Sequence, residues 1–173
     1  MKKAPILVMA VGNPSRGDDA FGPVLADQLL SWLSTQAEDV QACIELITDQ
    51  QLMVEHVMDL AERIQILFVD AAMQSPSALS LVAVQPLPTD QAVQSVNSHH
   101  CTPGQLLGLY QAMLLRTPPP AQLLSLRGHG FELGQPLSAQ AQAQLPQACA
   151  LLHQWLNDAL NQAAPRITGR PHA

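Results

Sequence analysis

Apolar residues recur along the chain in two alternating modes: short unbroken runs, and longer stretches with helical spacing. The first run, Ile6 to Val11, stops at Gly12-Asn13-Pro14. An apolar run that short, closed by turn residues, predicts a buried strand. Phe21, Val24, Leu25, Leu29, Trp32 and Leu33 then repeat at the spacing of one helix face. The alternation continues with a strand at 42–48, a short helix at 52–61 and a strand at 64–70 that ends on Asp70. A strand at 79–84 follows, then a Pro-rich polar loop over 85–96. Pro103 stands near the first turn of a helix at 104–115, the position helices favour for it. Thr117-Pro-Pro-Pro120 reads as a stiff connector before a last strand at 122–126. A Gly-rich loop over 127–135 leads to Ser138, which caps a long helix expected to end near Gln162. Residues 163–173 read as a loose tail, so the expected organisation is one domain over 1–162.

Alternation of apolar strands and helices predicts an α/β fold: a three-layer αβα sandwich with helices on both faces of a mainly parallel, twisted sheet of about five strands. Such sheets bind ligands beyond the carboxyl ends of their strands. Asp19 follows the first strand and Asp70 ends the third, while His99 and His100 lie in a loop that can return to the same edge.

Composition narrows the range of partners. Aromatic residues make up only 3% of the 173 residues, so aliphatic side chains must carry the core. The formal net charge of -6 disfavours nucleic acid and anionic membrane as partners. Cys43, Cys101 and Cys149 are widely spaced and form no zinc-ribbon pattern, which suits a reducing compartment. Met1-Lys-Lys before an apolar run imitates a signal peptide, but the run is short and breaks at Gly-Asn-Pro. A cytoplasmic monomer is expected.

The glycines of the first loop invite a nucleotide reading, which their spacing rejects. Gly12, Gly17 and Gly22 form neither G-x-G-x-x-G nor a P-loop, and Asp18 and Asp19 would repel a phosphate at the helix entrance. Two carboxylates and an imidazole from separate loops suit a divalent transition metal instead; nickel and zinc both accept such ligands. Each residue also has a plain structural use. Acids in a first helical turn oppose the helix dipole, Asp70 can close an Asx turn, and loop histidines are commonly exposed. Cys101 beside His100 suggests a thiol nucleophile but has no orienting third group. His129 between two glycines could line the site, whereas His56 and His153 on helices are expected to be exposed.

Three features occur together: Gly12-Asn-x-x-x-Gly17-Asp-Asp19-x-x-Gly22, Phe68-Val-Asp70-Ala-Ala, and Ser98-His99-His100 before a helix. In this order they resemble the hydrogenase maturation proteases, over about residues 4–160. The resemblance implies an endopeptidase that removes the C-terminal extension of the precursor large subunit of a nickel–iron hydrogenase, after nickel has been inserted. Asp19, Asp70 and His100 would engage nickel carried by that substrate, and zinc or another divalent ion could occupy the same site. Asp19 and Asp70 would be the catalytic carboxylates, and Gly12, Asn13, Gly17, Asp18 and His99 would shape the substrate-binding loops. Some members of the family carry Glu where Asp19 stands, and the doubled histidine leaves His99 as a competing ligand. The metal either activates water as a Lewis acid or only marks the substrate while a carboxylate acts as general base. A non-proteolytic nickel chaperone and a small-molecule αβα hydrolase are the alternative readings. The loops 85–96 and 127–135 are the expected walls of an open substrate cleft.

Overall fold

A computed structural model of the chain describes residues 3–75, 77–94 and 101–168. The central strand is β1, Ile6–Val11, all six of whose residues are buried. It lies between β2 (Ile44–Asp49) and β3 (Gln65–Ala72), and the five-stranded sheet is completed by β5 (Ala121–Arg127) and β4 (Leu79–Val84) in the order β2-β1-β3-β5-β4. Pairings β1–β2, β1–β3 and β3–β5 are parallel, and only β4 runs antiparallel, against β5.

A strand covered on both faces has no polar side, which is why β1 reads as an unbroken apolar run. Its side chains still alternate between two cores. Ile6, Val8 and Ala10 pack with α1 (Phe21–Leu33) and α5 (Ala139–Thr168), through Phe21, Leu25, Leu29 and Leu156. Leu7, Met9 and Val11 face the other way, onto α4 (Pro103–Leu114) through Leu106, Leu107 and Tyr110. The result is the expected αβα sandwich. A one-turn helix, α2 (Glu38–Gln41), precedes β2, and α3 (Thr89–Gln94) precedes α4. None of the described helices is long and apolar enough to cross a membrane.

Three expected elements differ. The helix at 52–61 is a short 3-10 helix, Val54–Met58, with i→i+3 bonds from the His56 N–H to Met53 O (3.1 Å) and the Asp59 N–H to His56 O (3.0 Å). The His56 side chain caps its start by accepting the Met53 N–H (2.9 Å). The region 85–96 is not a plain loop, since α3 occupies part of it. The last helix runs to Thr168 rather than Gln162; Ala163 is buried, four residues beyond buried Ala159 on the same stripe.

Candidate active site

The first loop is built by close approach. Gly12 has φ +139°, and a Cβ there would stand 1.9 Å from the carbonyl oxygen of Asp19. Gly17 has φ +56°, and its Cβ would meet the Gly130 carbonyl at 2.5 Å. Both positions therefore demand glycine on conformation and on space. The loop is closed internally by Arg16 N–H to the Asn13 carbonyl (3.1 Å) and Ser15 N–H to Asn13 Oδ1 (2.9 Å). It is docked onto the Gly-rich loop after β5 by Gly17 N–H to Gln135 O (2.9 Å) and Asp18 N–H to Gly130 O (2.8 Å).

The paired acids serve different ends. Asp18 is fully buried and accepts from His129 N–H (2.7 Å), Gly130 N–H (3.3 Å), Ser138 N–H (2.7 Å) and Ser138 Oγ (2.9 Å). Burial alone would raise its pKa, but these bonds together outweigh it and hold the carboxyl below its ordinary 3.8. Ser138 Oγ in turn accepts the Ala141 N–H (3.1 Å), so it caps α5 as its position suggests. Asp19 is half-buried, and its Oδ2 accepts the Asn13 N–H (3.1 Å).

Asp19 and Asp70 line one open cleft of about 460 Å³ beyond the carboxyl ends of β1 and β3. Asp70 lies two residues inside the end of β3, opposite Ser125 of β5. Burial pushes its carboxyl up from 3.8 to about 7; the Ala71 N–H (2.8 Å) opposes the shift and the negative charge of Asp19 adds to it. Among the described residues no cation pairs with Asp70, and a positive charge beside it would favour its ionised form. His99 and His100 lie outside the described residues. Their neighbour Cys101 lines the cleft, fixed by its N–H to the Leu52 carbonyl (3.0 Å). Among the described residues no three His, Cys, Asp or Glu side chains form a metal-binding group. Burial, with the charge of Glu55 adding to it, raises the Cys101 thiol above its ordinary 9.0, which removes the support for a nucleophile reading.

The walls differ from expectation. The 127–135 loop contributes Phe131, but the described part of 85–96 does not line the cleft. Because β4 is antiparallel, the chain leaves it at the opposite end of the sheet, where Gln85 and Pro86 meet Pro120. The second wall is the turn after β2, Gln50 to Leu52, with Arg16 and Met73 at the cleft. The parallel-strand rule could have found that turn, because β2 ends at the same edge. His129 is exposed and serves Asp18 through its backbone alone. His56 is not exposed but buried, with Nε2 3.5 Å from Asp49. His153 is half-buried against the Trp32 ring. A larger groove of about 730 Å³, between α1 and the start of α5, has Cys149 as its one titratable lining residue and offers no comparable chemistry.

No family model matches the chain, and no curated protein does either. Solved structures do match. The hydrogenase maturating endopeptidase HybD from E. coli superposes with a TM-score of 0.62 at 20% identity, over 88% of this chain and 92% of that one. The chain has the maturation-endopeptidase fold. The [NiFe] hydrogenase maturation protease HycI from Thermococcus kodakarensis gives a TM-score of 0.61 at 20% identity, over 90% and 94% of the two chains. A hydrogenase 2 maturation peptidase from a Thaumarchaeota archaeon gives 0.57 at 21%, over 87% and 97%. The three likenesses cover 88%, 87% and 90% of this chain, so they extend over most of its fold.

Proposed function

We propose that this chain is a hydrogenase maturation endopeptidase that removes the C-terminal extension of a nickel–iron hydrogenase large-subunit precursor once nickel is in place. The observation that carries this reading is the meeting of Asp19 and Asp70 in one open cleft, within a fold whose solved representatives include several such endopeptidases. A cleft open to solvent suits an extended polypeptide tail better than a small molecule enclosed on all sides.

Asp19 and Asp70 would engage the nickel that the substrate carries, with His100 as third ligand and His99 as its competitor. The donor chemistry fits a divalent ion: two carboxylates share the cleft, and burial, with the charge of Asp19 adding to it, raises the pKa of Asp70 to about 7. Such an ion supplies Lewis acidity toward a carbonyl or a water; zinc or another divalent ion would be accepted by the same donors. Before an ion arrives, Asp70 is a carboxyl poised to hold or release a proton near neutral pH, as a general base requires. Asp19, anchored by the Asn13 N–H, keeps its place through the rigid glycine loop.

The test is incubation of purified protein with nickel-loaded and nickel-free precursor, read by mass spectrometry of the precursor. Shortening of the loaded form alone is expected. Asp19→Asn should abolish it while costing at most about 0.5–1.5 kcal/mol, the worth of its one hydrogen bond from the Asn13 N–H, which the amide oxygen can keep. A loaded precursor that keeps its full length would favour a nickel chaperone over an endopeptidase.

A further inference from the structure

The cleft is acidic except at one point. Among the described residues that line it, Arg16 is the only Lys or Arg, on the same cleft as Asp19 and Asp70. Its backbone is fixed at both ends, by its own N–H to Asn13 O (3.1 Å) and by its carbonyl, which accepts the Asp19 N–H (3.1 Å). Its side chain is anchored as well, because Nε donates to the Phe131 carbonyl (3.2 Å). That bond uses one of five guanidinium donors. Neither terminal nitrogen has a hydrogen-bond or ion-pair partner among the described residues, whereas Arg63 is paired with Glu45. Met73 also lines the cleft and is 73% exposed, with Phe131 beside Arg16. An arginine held at Nε but unpaired at its tip among the described residues, on a cleft that also carries exposed Met73 and half-buried Phe131, is a preorganised anion site on the rim.

We propose that Arg16 is a specificity-determining residue that binds a carboxylate of the polypeptide lying in the cleft, with Met73 and Phe131 receiving an apolar side chain next to it. This rests on the endopeptidase reading only in taking the occupant to be a peptide. The charge pattern sets the register: an acidic side chain elsewhere in the cleft would face Asp19 or Asp70, and like charges at short range are unfavourable. The planar guanidinium suits a carboxylate through its two terminal nitrogens. Arg16 is exposed, so the gain is modest and salt-sensitive.

Two fluorescein-labelled ten-residue peptides provide the test, identical except for one Glu or Gln beside a central Leu in an otherwise Gly/Ser sequence. Binding to the intact protein is measured by fluorescence anisotropy in low salt, where no cleavage is needed. The Glu peptide should bind about two- to five-fold more tightly, the range of an exposed ion pair, and the preference should shrink in 0.5 M salt. Arg16→Gln should erase the preference and Arg16→Glu should invert it. Both variants should melt within about 4 °C of wild type, since they lose only the exposed Nε bond to Phe131, and a larger drop would mark a loosened loop instead of lost recognition. Met73→Ala should weaken both peptides equally. Equal binding of the two peptides to the wild-type protein, absence of binding, or a preference that survives Arg16→Gln would each overturn the proposal. The precursor-cleavage result stands apart from all of these outcomes.

Discussion

Asp18→Asn should be far more damaging than its place at a helix entrance suggests. A carboxylate that only opposed the dipole of a surface helix would be worth about 0.3–1 kcal/mol. Asp18 instead accepts four hydrogen bonds at zero solvent exposure, three of them to Oδ2 and the Ser138 N–H to Oδ1. The best orientation of asparagine keeps its carbonyl at the Oδ2 position. Its amide then confronts the Ser138 N–H, donor against donor, and the other bonds lose their charge. A bond to a charged acceptor contributes about 1.5–3 kcal/mol, and a buried donor left without a partner costs about 1–3 kcal/mol. Allowing for partial relaxation, the loss should be about 2–4 kcal/mol. For a chain of this length that corresponds to a melting temperature lower by about 5–15 °C. The acid limb gives an independent check. The folded-state pKa lies below the ordinary 3.8, so this stabilisation is present above that value and is lost as pH falls through the folded value. The wild-type protein should therefore lose stability below about pH 4 more steeply than the variant. Differential scanning calorimetry from pH 7 down to pH 2 measures both effects. A variant melting within about 2 °C of wild type at pH 7 would refute the keystone role, since even one unmet bond costs more.

Asp70 should act with the opposite sign: its pKa is raised to about 7, so the folded state binds the extra proton between the ordinary 3.8 and that value. Stability should thus fall as pH rises from about 4 to 7, by at most about 1.4 kcal/mol for each pH unit crossed and by less where solvent screens the charge. Asp70→Asn should remove that slope in urea titrations, and added nickel should counter it. Gly12→Ala should be among the worst single-methyl additions in the chain, because its Cβ would stand 1.9 Å from the Asp19 carbonyl oxygen at a φ of +139°. A cost of about 3 kcal/mol or more is expected from overpacking and strain together, with precursor cleavage lost even where the variant remains folded by circular dichroism.

Much of the architecture was legible in the residues because burial on two faces leaves a plain mark. Ile6–Val11 is apolar throughout since helices cover both of its sides, and the parallel order then places the ends of β1 and β3 at one edge. That alone brought Asp19 and Asp70 together. The glycines of the first loop were equally readable, because a positive φ and a backbone contact admit no side chain.

Other features depended on partners that periodicity does not name. The strand Leu79–Val84 has the same apolar content whichever way it runs; its antiparallel pairing with β5 moved the chain after it to the far end of the sheet. The second cleft wall fell to the turn after β2 for the same reason. His56 looked like an exposed helix residue until packing buried it beside Asp49. Asp18 is the sharpest case. In sequence it is an acid in a first turn, next to another of the same type, and only the resemblance to the maturation proteases separates the two. Its donors come from residues 111 to 120 positions away, and all but the Ser138 hydroxyl are backbone N–H groups. Every residue but proline carries such a group, so these bonds leave no signature in residue identity. Only the folded chain, by bringing the loop after β5 against the loop after β1, decides that one aspartate is buried in the scaffold and its neighbour faces the cleft.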